Sequence, residues 1–135
     1  MSAQRIVPPP TAFRLSHGRK RPREENRAHL AFIRNLPCLV TGRRDNVEAA
    51  HIRYQDLAYG KRAAGKGEKP SDAWTVPLHR DVHREQHDAG DEQLWWQEKG
   101  IDPVRVALAL SQASGDDDAA EIIIRTARET AKVAP

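Results

Sequence analysis

Three histidines stand four residues apart, at His79, His83 and His87. On a helix the positions i, i+4 and i+8 share one face, drifting by about 40° per step, so a neighbouring pair of imidazoles can converge on a single divalent cation. Such a pair alone is often no more than decoration on a solvated helix. Here a fourth histidine, His51, lies in an earlier apolar segment, and a carboxylate, Asp72, lies between them. An imidazole, with an ordinary pKa of about 6.5, is largely neutral near pH 7 and can take a proton from water. The set therefore carries two chemistries, metal ligation and general-base catalysis.

His51 sits in Ala49-Ala50-His51-Ile52-Arg53, and Asp72 closes the stretch Gly65-Lys66-Gly67-Glu68-Lys69-Pro70-Ser71-Asp72. The other three histidines fall in Val76-Pro77-Leu78-His79-Arg80-Asp81-Val82-His83-Arg84-Glu85-Gln86-His87, followed by Leu94-Trp95-Trp96-Gln97-Glu98-Lys99-Gly100. In this order and spacing the segments resemble the HNH endonuclease superfamily, and within it the phage and prophage group that includes the Ref recombination nuclease. The resemblance covers about residues 28–102. It implies a ββα-metal core that hydrolyses phosphodiester bonds in DNA with one divalent metal ion, Mg²⁺, Mn²⁺ or Zn²⁺. By position it makes His51 the general base, His83 and His87 the metal ligands carried by the helix, and Asp72 either a further ligand or the group that orients His51. Recombination proteins join DNA as implied partners.

The chain departs from the family's pattern in two places. Ala50 precedes His51 where many relatives have a second histidine or an aspartate, so one expected ligand is absent and Asp72 is the candidate to fill the gap. The relatives' Cys-x-x-Cys is here Cys38-Leu39-Val40-Thr41, and the cysteine after Pro-Leu is here His79. Cys38 and His79 are then what remains of a structural metal site, two ligands where a structural zinc needs four. Cys38 reads better as a small core residue. Ala50 also keeps open an alternative, a catalytically decayed DNA-binding or recombination-accessory protein of the same shape.

The elements that must position these residues read as an α+β fold. Residues 1–23, with Pro8-Pro9-Pro10 and Arg19, Lys20, Arg21 and Arg23, form a disordered basic arm. A helix follows over 24–35 with Ala28, Ala31 and Phe32 on its apolar face and two acids in its first turn, and Pro37 ends it. Residues 38–53 read as a hairpin, with Cys38-Leu39-Val40 as its first strand and Val47 to Ile52 as its return. A basic loop over 54–71 leads to a short strand, Ala73 to Val76, closed by Pro77, and then to a helix from His79 to Asp88. Two helices finish the chain, Pro103 to Gln112 and about Asp118 to Lys132. The arm 1–23, a nuclease-like core 24–102 and a helical extension 103–135 are the expected divisions.

Composition agrees with one small domain. The chain has 135 residues, one cysteine and a net charge of +3, so no intrachain disulfide framework holds it together. Its apolar runs are far shorter than the roughly 20 residues that cross a bilayer, which points to a cytoplasmic protein with no membrane partner. Residues 1–44 carry ten Lys and Arg against two acids, whereas the remainder carries twelve against seventeen. A basic arm of this kind suits a polyanion, because bound cationic side chains release its condensed counterions. Arg19, Lys20, Arg21, Arg23, Arg53, Lys66 and Lys69 are the candidate DNA contacts.

Overall fold

The computed structural model describes residues 25–62 and 71–133. Helix α1 (Arg27–Arg34) begins later than its apolar spacing suggests. The Asn26 side chain accepts the His29 backbone N–H at 3.0 Å and sets the first turn there, leaving no acid in that turn. Its buried face is His29, Phe32 and Ile33 rather than one built on Ala28 and Ala31, which are exposed.

In Cys38-Leu39-Val40 the first two residues are buried and Val40 half-buried, but the triplet is not a strand. Gly42 N–H donates to the Cys38 carbonyl at 2.8 Å, and Cys38 N–H donates to Arg43, so the chain closes a tight turn here. Gly42 holds φ at +79°, and a Cβ at that position would meet the Arg128 guanidinium at 2.6 Å. An apolar triplet can therefore be core without being extended, because a turn can bury it as well as a sheet can.

The sheet is two antiparallel strands, β1 (Val47–His51) and β2 (Thr75–His79), in the register Val47 opposite His79 to His51 opposite Thr75. The pairing partner of β1 is thus the later segment, joined to it by the 52–74 connection, in which Leu57–Tyr59 forms one 3-10 turn. β2 runs through Pro77 instead of stopping at it. Its outer edge faces the 38–42 turn, where the Pro77 carbonyl accepts Leu39 N–H at 2.9 Å, and an edge position tolerates the missing N–H of proline.

Helix α2 (Arg80–Ala89) follows β2 without a loop, since His79 is at once the last residue of the strand and the N-cap of the helix. Helix α3 (Glu92–Lys99) turns the Leu94-Trp95-Trp96 cluster into one exposed and two buried residues, with the indoles packed edge to face at 4.9 Å. Trp95 Nε1 donates to Glu85 of α2 at 2.9 Å. Helix α4 (Pro103–Gln112) starts on the Asp102 cap with Pro103 in its first turn, and α5 (Asp117–Val133) packs along it. Leu39, Val76, Leu78, Trp96, Val104, Leu110 and Ile124 belong to one hydrophobic cluster, so residues 103–133 share the core of the sheet. Among the described residues no helix is long and apolar enough to cross a membrane.

Candidate functional site

The carboxylate of Asp72 arrives at the start of β2 and meets the last residue of β1. Its Oδ1 lies 2.9 Å from His51 Nε2, and its Oδ2 accepts the backbone N–H of Asn26 at 2.7 Å. The Asp72 side chain is 2% exposed and that of His51 24%. A buried carboxylate facing Nε2 favours the proton on that nitrogen, because an ionised carboxylate can only accept. Nδ1 is then the nitrogen with the free lone pair. Two further bonds fix the pair: Thr75 Oγ1 donates to the Asp72 carbonyl at 2.9 Å, and Ile52 N–H to that of Trp74 at 2.9 Å.

A second set lies on α2. His83 and His87, one helical turn apart, bring their Nε2 atoms to 3.2 Å with ring centroids 4.8 Å apart. Glu48 of β1 reaches across to His83 Nδ1 at 2.8 Å. Two nitrogens bound tetrahedrally to one ion at about 2.0–2.1 Å would lie about 3.3–3.4 Å apart, so this imidazole pair has the separation of a bidentate ligand. Among the described residues no three His, Cys, Asp or Glu side chains gather as a metal-holding group. Asp72 contacts His51 and Asn26, and among the described residues it forms no metal-holding group with the helix histidines.

Cys38 and His79 have protein partners of their own. Cys38 is fully buried and its Sγ accepts Thr41 N–H at 3.4 Å. His79 is buried too, and its Nδ1 accepts Asp81 N–H at 3.1 Å as the cap of α2, while Nε2 faces the Asp45 carboxylate at 3.5 Å. His29, outside the motif, is structural: it is buried and its Nδ1 lies 2.7 Å from Ser114 Oγ.

Of the candidate DNA contacts, Arg53 is exposed on the connection after β1. Arg19, Lys20, Arg21, Arg23, Lys66 and Lys69 lie outside the described residues. Lys61, which falls in the 54–71 stretch read from sequence as a basic loop, is fully buried, and its Nζ donates to the Tyr54 carbonyl at 2.5 Å and to that of Arg62 at 3.3 Å. Burial holds its pKa below the usual lysine value.

Glu92 and Glu48 are the neighbours that sequence reasoning missed. Glu92 Oε1 accepts Arg53 N–H at 3.2 Å, and its Oε2 is sealed from solvent with no hydrogen-bond partner. Burial pushes its carboxyl above the ordinary range, against the opposing pull of the Arg53 N–H, Lys61, Arg53 and His83. Nothing in the local sequence marks Glu92, but Glu48 was detectable: strand alternation places it on the same side of β1 as Ala50, the position of the missing ligand.

A family model described as Protein of unknown function (DUF968) matches residues 7–115. The chain belongs to this family. The DUF968 match takes in both strands, α1 to α4 and all four of His51, Asp72, His83 and His87, and it ends at Gly115, before α5. No curated protein and no solved structure matches the chain.

Proposed function

We propose that this protein is a metal-dependent HNH-type endonuclease that hydrolyses phosphodiester bonds in DNA. The observation that carries the reading is the sealed Asp72 carboxylate on Nε2 of a part-exposed His51. Burying a carboxylate costs free energy unless its hydrogen bonds are made, and here they include a backbone N–H and one imidazole that opens to solvent. His51 Nδ1 takes the proton of an attacking water, and the imidazolium that forms is held by the carboxylate behind it.

The order β1, β2, α2 supports the same reading, because it carries His51 on the first strand and His83 and His87 on the helix, as the HNH resemblance implies. His83 and His87 would hold the divalent ion through their adjacent Nε2 atoms. When bound, such an ion supplies Lewis-acid stabilisation of the charge that develops on the phosphate oxygens and leaving group. Arg53, Lys66, Lys69 and the arginines and lysine of residues 19–23 supply affinity for the backbone without naming a sequence. A plasmid-nicking assay across Mg²⁺, Mn²⁺ and Zn²⁺ tests this: cleavage abolished by chelator and by His51→Ala is expected.

One observation favours a second reading. Ala50 stands where a ligand is expected, and no third ligand joins His83 and His87 among the described residues. A DNA-binding accessory protein with decayed chemistry would show salt-sensitive DNA binding with no cleavage under any of the three metals.

A further inference from the structure

His83 is held from the strand as well as from the helix. Glu48 Oε1 lies 2.8 Å from Nδ1, and on the opposite edge of the ring Nε2 lies 3.2 Å from His87 Nε2. Glu48 is 51% exposed, and an ion pair or hydrogen bond at such a site adds little to stability. What it does decide is which ring nitrogen carries the proton, because a carboxylate accepts and the nitrogen facing it must donate.

We propose that Glu48 is the positioning residue of the helix histidines: it accepts the Nδ1–H of His83, fixes that tautomer, and so presents the Nε2 lone pair beside Nε2 of His87. The inference rests on the reading that this pair holds a divalent ion. It also gives the Ala50 departure a physical sequel. β1 alternates sides, so Glu48 and Ala50 share one, and the strand that lacks a ligand at Ala50 contributes from two residues earlier a carboxylate that orients a ligand instead. A carboxylate behind a ligating imidazole also raises its basicity, and loss of such a partner costs about 10–100-fold in metal affinity.

The test uses the full chain and the variants Glu48→Ala and Glu48→Gln. In metal-free protein at about pH 8.5, where an ordinary imidazole is neutral, nitrogen NMR of labelled histidine is expected to show His83 as the Nδ1–H tautomer. Glu48→Ala should shift it toward the Nε2–H form, and Glu48→Gln, which keeps an acceptor oxygen, should hold it. In titrations with Zn²⁺ and Co²⁺, Glu48→Ala should bind about 10–100-fold more weakly, with Glu48→Gln in between and the Co²⁺ absorption bands at unchanged positions. The proposal is overturned if His83 is the Nε2–H tautomer in the parent protein, if Glu48→Ala leaves the tautomer or the affinity unchanged, or if Glu48→Gln moves the Co²⁺ bands, which would make Glu48 a ligand. If the parent protein binds neither metal, the reading that this pair holds a divalent ion fails, and the tautomer measurement still decides the role of Glu48.

Discussion

Asp72 ties His51 to Asn26: one carboxylate meets the imidazole at 2.9 Å through Oδ1 and the cap residue of α1 at 2.7 Å through Oδ2. The candidate base is thus braced by the same group that anchors the start of a helix. Replacing His51 by Ala should lower metal-dependent cleavage by about 10²–10⁴-fold, the usual worth of a general base. Asp72→Asn should also inactivate, for a different reason. Its amide oxygen can serve Asn26 while its NH2 donates to His51 Nε2, driving the ring proton onto Nδ1 and removing the lone pair that takes the proton of water. Asp72→Ala should in addition cost about 1–3 kcal/mol of stability, because the Asn26 N–H loses its partner. Plasmid cleavage and urea unfolding measured on the same three variants check this, and an Asp72→Asn protein with full activity would contradict it.

His83→Ala and His87→Ala should each weaken Zn²⁺ binding by more than about 100-fold, beyond the loss expected from an orienting group alone. Binding should also weaken as pH falls, since a ligating imidazole must be neutral. Calorimetric titration at two pH values reads both effects. Equal affinity in either variant would place the metal elsewhere.

Glu92 should give the fold a recognisable pH signature. Its carboxyl titrates above the ordinary range because it is buried, so from the unfolded value of 4.5 upward the folded state holds the proton more tightly than the unfolded state does. Stability contributed by this group is therefore present at low pH and lost as pH rises through the folded-state pKa. Glu92→Gln keeps an acceptor for Arg53 N–H and removes the titration. The difference in unfolding free energy between the two proteins should shift in favour of the variant as pH rises from about 4.5. A pH-independent difference would mean that Glu92 is not desolvated in solution.

Leu110 is fully buried, whereas Ile122, one helix later, is 53% exposed. Leu110→Ala should cost about 2–5 kcal/mol, and Ile122→Ala no more than about 0.5 kcal/mol. Because α4 shares its core with β2, the loss should appear in a single unfolding transition monitored at the tryptophans, Trp95 and Trp96. A separate early transition confined to the C-terminal helices would show that they fold as an independent layer.

Local signals sufficed where the determinants were local. Pro103 after Asp102 marked the start of α4 at its observed residue, and the Arg80–Ala89 helix was legible from the histidine spacing. The strand partnership was not, because Cys38-Leu39-Val40 and Thr75 to His79 are both short and apolar, and only long-range packing decides which of them lies along β1. The turn at Gly42 takes a left-handed φ of +79° and lies under the guanidinium of Arg128, 86 positions away, a neighbour that no local pattern announces. Within the site, His51 and Asp72 were legible as a pair, but the Asn26 N–H that Asp72 also accepts, 46 positions away, was not. Lys61 shows the limit of reading charge as exposure, since its amine is satisfied by backbone carbonyls that no residue pattern announces.

The long connection between the two strands enters at Ile52 and leaves at Trp74, and those two residues are joined by a backbone hydrogen bond of 2.9 Å. His51 stands just before that clasp and Asp72 just inside its far end. Lengthening a clasped loop raises its closure cost only logarithmically. The spacing of His51 and Asp72 is thereby set by the clasp beside them and not by the number of residues between its ends, so a change of loop length leaves the two side chains facing each other.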